Sequence, residues 1–266
     1  MRGAALPVLV LVAWAAMALV GPSFAPHPNA IHLQRILAPP STAVWLGADD
    51  LGRSVATRLV IGARTSFLVA VWVVGLSVVM GTLVGTVSGY LGGWWDRVTV
   101  LVTDVFLAFP GILLAIALAG ILGPGSDNVV LALTAVGWVG YARLARAQVL
   151  SVQHREHVLA AQALGAGQWR IMRRHLLPMI SAPLIVEATF GVAGVVIAEA
   201  GLSFLGLGVQ PPAASWGSMI RDGTRYLLVA PHLVLAPGVA MLLVILAINL
   251  LGDRLRDWLD VRRRRL

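Results

Sequence analysis

The chain has 266 residues, of which 58% are hydrophobic and 12% charged, and its mean hydropathy is +0.85. Soluble domains carry about 25% charged residues, so this composition excludes an ordinary water-soluble domain and indicates one multi-helix membrane domain. The net charge of +8 is compatible with nucleic acid, but the basic residues are all arginine and lie in short segments between apolar runs. Such charges typically orient a membrane protein, so we expect contact with membrane lipid and none with nucleic acid. The absence of cysteine excludes disulfides and thiolate metal sites.

The first apolar run, residues 4–20, is either a retained membrane span or a secretory signal peptide cleaved after residues 23–25. It is longer than the roughly 7–15 apolar residues of a signal-peptide core, which favours a retained span. Residues 21–63 then form a polar loop, in which five prolines interrupt any helix. The first segment of the protein, residues 1–63, is therefore predicted as one transmembrane helix with an external loop.

Five further apolar runs have the length of membrane spans, since a span needs about 20 residues whose backbone groups pair within the helix. They cover residues 66–90, 98–122, 128–149, 180–205 and 227–251. Turn residues separate most of them, but the charged segment 150–178 lies between the fourth and fifth of the six spans. The sequence therefore predicts an all-α integral membrane protein with six transmembrane helices, five of them in a core at residues 64–266.

The arginines are distributed unevenly between the two sides that six spans define. Fourteen lie on the side of the two termini and segment 150–178, and six lie on the other side. Because cytoplasmic loops carry the excess of basic residues, both termini and segment 150–178 are predicted to be cytoplasmic. The expected location is the plasma membrane.

Residues 156–178, EHVLAAQALGAGQWRIMRRHLLP, predict two short helices separated by a glycine turn. Residues 158–164 are rich in alanine and leucine, which are good helix formers. Gly165 and Gly167 then permit backbone conformations that other residues resist. The sequence therefore predicts a helix–turn–helix unit on the cytoplasmic side.

The second helix of this unit is predicted to be amphipathic. Trp169, Met172 and Leu176 fall on one arc at helical spacing, with basic residues that include Arg173 beside it. Pro178 is expected to end the helix before the next span. Such a unit is either a docking knob for a soluble partner or a helix that lies on anionic lipid.

The pattern Glu-x-x-x-Ala-Ala-x-x-Leu-Gly-Ala, followed by basic residues and Leu-Pro, resembles the EAA loop of ABC importer permeases. The matching positions are Glu156, Ala160, Ala161, Leu164, Gly165 and Pro178. Met179 departs from the family, in which many members carry asparagine after the proline. The resemblance implies that this loop, with Trp169 and Arg173, fits a groove on an ATP-hydrolysing subunit.

Four further segments are similar to the second, C-type permease of dipeptide, oligopeptide and nickel importers. They are LGADDLGR at 46–53, DVFLAFP at 104–110, GWVGYAR at 137–143, and EAGLSFLGLGVQPP at 199–212 with SWGS at 215–218. Together with the loop they extend over most of residues 44–260. The resemblance implies the type I permease fold and a cargo of dipeptides or oligopeptides, with haem, nickel complexes and glutathione as alternatives.

The same resemblance implies the partners of the chain. They are a homologous second permease, two cytoplasmic ATP-binding subunits and an extracytoplasmic substrate-binding protein. The chain contains no lysine and no Gly-x-x-x-x-Gly-Lys-Ser/Thr phosphate loop. We therefore expect no enzymatic activity and no cofactor in this chain, with ATP and magnesium on the partner ATPases.

Three carboxylates, Asp104, Glu187 and Glu199, lie in or beside apolar runs. A carboxylate at membrane depth is costly, so each is predicted either to line the translocation pathway or to pair at a helix contact. Glu187 is the best pathway candidate because it lies deepest in its span. By contrast, the four-residue spacing of Gly81, Gly85 and Gly89 predicts close helix packing rather than ligand contact.

Other classes of protein fit the sequence less well. His154 and His157 have helical spacing for a metal but no convincing third ligand nearby. An intramembrane serine protease would need Ser203 within reach of a histidine base, and the six histidines lie in loops or near span ends. A secondary transporter is the stronger rival, although the chain shows no internal repeat and the EAA-like loop would have no role there.

Overall fold

The computed structural model describes residues 5–25, 27–42 and 44–259, and the regular structure in these ranges is helical apart from one isolated bridge between Ala48 and Ser54. The helices are α1 Ala5–Leu19, α2 Val55–Leu91, α3 Gly93–Leu107, α4 Gly111–Leu122, α5 Ser126–Val152, α6 Glu156–Ala163, α7 Gln168–Ile171, α8 Leu177–Phe204, α9 Trp216–Thr224 and α10 His232–Leu259. Five of the fourteen arginines on the side of the two termini, at position 2 and positions 262–265, lie outside the described ranges.

In the described residues, not all six predicted spans are continuous helices long enough to cross a membrane. Four described helices are long and apolar enough to cross a membrane, namely α2, α5, α8 with the segment before it, and α10. A fifth crossing requires α3 and α4 to be counted as one span, and these two helices meet at an angle of 87°. Helix α1 has 15 residues and is about 22 Å long, which is shorter than the roughly 30 Å hydrocarbon core.

The span predicted over residues 98–122 is not one continuous helix, because the chain bends between α3 and α4. Pro110 has no N–H to donate to the preceding turn, so the helix cannot continue through it with its hydrogen bonds intact. Helix α3 therefore ends at Leu107, and a new helix begins after Pro110, whose carbonyl accepts from the backbone N–H groups of Leu113 and Leu114. The bend carries α4 across the faces of α5 and α8.

The expectation that Pro178 ends a helix is also wrong. A π-helical turn, Met172–Leu176, joins α7 to α8, and the helical segment runs from Gln168 to Phe204. Pro178 occupies the first turn of α8. The wider turn that precedes it shifts the hydrogen-bond register, so the missing N–H of proline is accommodated without a break.

Helix α2 begins at Val55, within residues expected to be loop, and packs along α5 as the central helix pair. The Ser54 side chain caps it by accepting from the Thr57 N–H at 3.4 Å. Gly81, Gly85 and Gly89 face the α5 backbone, so the predicted close packing is confirmed. Small residues at this spacing let two helix backbones approach each other in a membrane.

An ion pair closes the end of this helix pair that lies toward segment 156–178. Asp96 on α3 accepts hydrogen bonds from Arg146 Nη2 on α5 and from Ser88 Oγ on α2, each at 2.7 Å. These contacts tie three helices together at one level. At the other end, Trp14 of α1 packs edge-to-face on Phe67 of α2 with ring centroids 5.1 Å apart, so α1 belongs to the bundle.

Candidate coupling surface and membrane cavity

Helix α6 is terminated by two hydrogen bonds that only a left-handed residue permits. Gly165 has φ of +79°, and its N–H donates to the Gln162 carbonyl at 2.9 Å. The Ala166 N–H donates to the Ala161 carbonyl at 3.0 Å. This is the Schellman arrangement, which satisfies carbonyls at a helix end. The predicted glycine turn is therefore present, with Gly165 in the conformation that requires glycine.

The inner face of segment 156–178 is packed against the membrane helices. Val158 of α6, Ile171 of α7 and Leu176 of the π-helical turn are each no more than 1% exposed. They share one hydrophobic cluster with residues of α5 and α8, including Tyr141 and Ile180. Burial of these side chains fixes both halves of the segment to the helices that form the membrane domain.

Two further contacts place α6 over the ends of the spans. The Gln162 side-chain N–H donates to Tyr90 Oη, at the end of α2, at 3.2 Å. His157 Nε2 lies 3.2 Å from Met179 Sδ at the start of α8. Met179, the position that departs from the family pattern, thus contacts α6 directly.

The outer face of the same segment is exposed and carries the residues predicted for docking. Leu164 is 88% exposed and Trp169 61% exposed, although both are large apolar side chains. The other exposed positions of the predicted set are Glu156, Ala160, Gly165, Arg173 and Pro178, and Ala161 is half-buried. We call the exposed face of residues 156–178 the coupling surface.

One part of the sequence prediction for this surface is wrong. Trp169, Met172 and Leu176 were expected to share a face, but Met172 and Leu176 are buried while Trp169 is exposed. Successive residues of an α-helix are 100° apart around the axis. The π-helical turn has more residues per turn, so the positions after Trp169 face a different direction from the one predicted. The apolar part of the coupling surface therefore comprises Leu159, Leu164 and Trp169.

A cavity of about 300 Å³ opens within the membrane domain between α2, α4, α5 and α8. Its apolar and glycine lining comprises Val73, Val74, Gly111, Ile112, Ala115, Leu133, Val136, Gly137, Gly140, Gly191, Gly194, Val195 and Ala198. Three polar side chains complete the lining: Ser77, Tyr141 and Glu187. This volume is at the lower end for small-molecule pockets.

The structure places the three predicted carboxylates in different environments. Glu199 is 1% exposed and accepts from Ser203 Oγ at 2.7 Å and Ser66 Oγ at 3.0 Å, which favours the helix-contact alternative. Asp104 is exposed on α3, outside the cavity lining. Glu187 lines the cavity and also a second one of about 550 Å³ that Arg256 borders.

Sequence reasoning missed Tyr141 and Ser77 as cavity residues. Tyr141 lies within the GWVGYAR segment, which was noted only for its resemblance, and Ser77 is one of five serine or threonine residues in the apolar run 66–90. Ser77 Oγ is buried with no hydrogen-bond partner among the residues that the structure describes. The sequence offered no signal that separates Ser77 from the other hydroxyls of its span, since each such group in hydrocarbon needs a partner.

Comparison with known proteins agrees with this geometry. Residues 81–265 match the family described as binding-protein-dependent transport system inner membrane component. The chain belongs to this family. The predicted identity as a permease of a binding-protein-dependent importer is therefore confirmed, and the chain is a multi-pass membrane transport component without catalysis of its own.

Individual relatives extend over most of the chain. The dipeptide transport system permease protein DppC of Alkalihalophilus pseudofirmus is 41% identical, over an aligned region that covers 94% of this chain and 81% of that protein. The glutathione transport system permease protein GsiD of Pectobacterium atrosepticum is 40% identical, covering 87% and 77%. The probable D,D-dipeptide transport system permease protein DdpC of Escherichia coli is 39% identical, covering 95% and 85%.

A solved structure shares the fold. A chain of the MetNI methionine ABC transporter, in an inward-facing conformation, superposes with a TM-score of 0.63 at 19% identity. The match covers 76% of this chain and 96% of that chain. The expected type I importer permease fold is confirmed by this likeness.

Proposed function

We propose that this chain forms half of the translocation pathway of an ATP-driven importer of short peptides. The observation that carries the proposal is the coupling surface, in which Leu164 and Trp169 project from a segment whose other face is packed into the membrane domain. An exposed apolar pair rimmed by charge is typical of a protein interface. The partner groove belongs to a cytoplasmic ATP-binding subunit.

Movement of that subunit reaches the membrane through packed side chains. Val158 and Ile171 share a cluster with Tyr141, and Tyr141 lines the membrane cavity. Since packed interiors transmit displacement rather than absorb it, residues 156–178 act as a rigid lever when the ATPases close. The two permeases then alternate between inward-facing and outward-facing states.

The complete transporter contains partners that supply what this chain lacks. A homologous second permease forms the other half of the pathway, and an extracytoplasmic binding protein delivers the cargo. ATP and magnesium are held by two cytoplasmic ATP-binding subunits, because this chain has no lysine and no phosphate loop. No group of three His, Cys, Asp or Glu side chains suited to a metal occurs in residues 5–25, 27–42 and 44–259.

Short peptides are the cargo that the relatives and the cavity support together. The three relatives are named for transport of dipeptides, D,D-dipeptides and glutathione, which are all small peptides with charged ends. The cavity offers one carboxylate and two hydroxyls in an apolar wall. That lining suits a zwitterion in passage better than it suits haem or a nickel complex.

Uptake in liposomes tests this proposal. The chain, reconstituted with its second permease, ATP-binding subunits and binding protein, is expected to accumulate a labelled dipeptide only when ATP is supplied. Collapse of the proton gradient at constant ATP leaves the uptake unchanged. Uptake that follows an imposed proton gradient without ATP would show a secondary transporter instead.

The proposed orientation has a separate test in single-cysteine variants of this cysteine-free chain. Ser41→Cys and Ala213→Cys lie at exposed positions of the proposed outer loops, and Gln168→Cys lies on the coupling surface. An impermeant maleimide added to intact cells is expected to label the first two and to label position 168 only after permeabilisation. Labelling of position 168 in intact cells would contradict the orientation.

A further inference from the structure

The three polar groups of the membrane cavity lie along one line of helix turns. A Cβ built on Gly137 of α5 would lie 2.7 Å from Ser77 Oγ, so this hydroxyl faces Gly137. Tyr141 follows Gly137 by four residues, which is one helical turn on the same face. The two hydroxyls therefore occupy successive levels at the α2–α5 side of the cavity.

The third group continues this line on α8. A Cβ on Gly191 would overlap Tyr141 Oη, which places the phenol hydroxyl against the α8 backbone at that residue. Glu187 precedes Gly191 by four residues and therefore lies one turn away on the same helix face. Ser77, Tyr141 and Glu187 thus follow one another along the helix contacts that border the cavity.

Glu187 is the one charged residue in the lining of this cavity. It also borders the second cavity, which opens toward the cytoplasmic end of the bundle, where Arg256 lies. A carboxylate between two cavities, with its neighbours Gly191 and Gly194 lacking side chains, is open to a cation from either one. Within an apolar wall its attraction for a positive charge is stronger than in water.

We propose that Glu187 is a transient binding site for a protonated primary amine, in the cavity that it shares with Tyr141 and Ser77. The inference rests on the proposed function, because the amine in question is the terminal ammonium group of a peptide in transit. An ammonium group is a positively charged hydrogen-bond donor, and the Glu187 carboxylate is the accepting anion in the cavity lining. Charge-assisted hydrogen bonds of this kind are the stronger ones.

The site selects the amine rather than the rest of the molecule. The remaining lining is aliphatic or glycine, so the cavity provides no further polar partner for a peptide backbone or side chain. Ser77 Oγ and Tyr141 Oη are turned toward the helix contacts at Gly137 and Gly191, so Glu187 is the principal polar partner that the cavity offers. Binding is accordingly weak in total and allows onward movement.

Charge-selective labelling of a cysteine in the cavity tests the site without any transport. Gly194 lines the cavity, two turns from Glu187 on the same helix, and a Cβ there meets no atom within 4 Å. Gly194→Cys, in membranes that contain the complete transporter, is treated with cationic aminoethyl or anionic sulfonatoethyl methanethiosulfonate. After correction for the reactivity of a free thiol, we expect the cationic reagent to react about tenfold faster, since charged clefts concentrate counter-ions.

The carboxylate variant and a matched control assign this preference. Adding Glu187→Gln is expected to remove it, whereas adding Asp127→Asn, an exposed carboxylate at the start of α5, leaves it in place. Equal reaction of both reagents in the Gly194→Cys protein would overturn the amine site. So would a thiol that reacts with neither reagent until the protein is denatured, because the cavity would then be closed or filled by the partner permease.

A transport measurement separates this inference from the proposed function. With ATP and binding protein present, Glu187→Gln is expected to lower uptake of a free-amine dipeptide about tenfold, and Glu187→Asp to retain most of it. ATP hydrolysis stimulated by the binding protein stays unchanged in both. Full uptake by Glu187→Gln would overturn the amine site and leave the importer intact, whereas absence of ATP-driven uptake in the unaltered protein would contradict the importer and leave the labelling test valid.

Discussion

Gly165→Pro is expected to abolish ATP-driven uptake while the protein still inserts into the membrane. Gly165 has φ of +79°, whereas proline fixes φ near −65°. The Gly165 N–H also donates to the Gln162 carbonyl at 2.9 Å, and proline has no N–H to replace it. The substitution therefore removes both the left-handed turn and a hydrogen bond of the helix end. A Cβ at this position meets no atom within 4 Å, so the effect is one of backbone conformation and not of crowding.

The expected size of this effect follows from the backbone conformation alone. A misplaced proline costs about 3 kcal/mol or more, and each 1.4 kcal/mol is a factor of about ten in an equilibrium. The docking arrangement of Leu164 and Trp169 is therefore populated about a hundredfold less. Uptake in liposomes and co-purification of the ATP-binding subunits measure the loss, and both are expected to fall together.

Gly167→Pro is the matched control, two residues further along the same turn. Gly167 has φ of −65° and ψ of 152°, which proline adopts without strain, and a Cβ there also meets nothing within 4 Å. We expect this variant to retain uptake and ATPase binding. If Gly165→Pro transports as well as Gly167→Pro, the coupling surface is not where the ATPase engages.

The coupling segment could be predicted from sequence because its conformation is set locally. Gly165 follows a run of helix formers, and the left-handed turn that ends the helix involves only residues 161–166. The exposed positions of Glu156 and Leu164 followed from the family resemblance. Helix capping and glycine turns depend on neighbours in the sequence, which is why these predictions agree with the structure.

The irregular parts of the spans were beyond the reach of periodicity. Pro110 lies inside the apolar run 98–122 and Pro178 just before the run 180–205, yet the chain bends sharply at the first and continues as helix through the second. The difference lies in the π-helical turn Met172–Leu176, whose register depends on how Ile171 and Leu176 pack against α5 and α8. That packing is tertiary, and a sequence window does not contain it.

The membrane cavity depended on the same kind of information. Glu187 was identified because a carboxylate in a span is costly wherever it lies. Tyr141 and Ser77 join it only through the close contact of α2 with α5 and of α5 with α8. Glu199, with the same local signal as Glu187, is instead enclosed by Ser66 and Ser203. Glu187 and Glu199 thus have the same signal in the sequence but differ in burial and in hydrogen-bond partners.

Gly85→Val is expected to destabilise the membrane domain more than a substitution elsewhere on the same helix. A Cβ at Gly85 would overlap the Ala142 carbonyl oxygen and lie 2.9 Å from Ala145 Cβ. Neither atom is at the flexible end of a side chain, so α2 and α5 must move apart along their length. Separation also disturbs the neighbouring contact at Gly81, where a Cβ would overlap the Trp138 carbonyl oxygen.

Gly75→Val is the control, because Gly75 lies on the exposed face of α2 and a Cβ there meets no atom within 4 Å. Overpacking costs about 1–3 kcal/mol where side chains can adjust, and a contact with backbone belongs at or above the upper end. In a chain of this size 1 kcal/mol shifts the midpoint by about 2–4 °C, so thermal unfolding in detergent should show a loss of about 10 °C for Gly85→Val. Gly75→Val should unfold within about 2 °C of the unaltered protein, since it adds an apolar side chain on the face toward lipid. Equal midpoints for the two variants would mean that α2 and α5 do not meet at Gly85, and the cavity built on their contact would have to be abandoned with it.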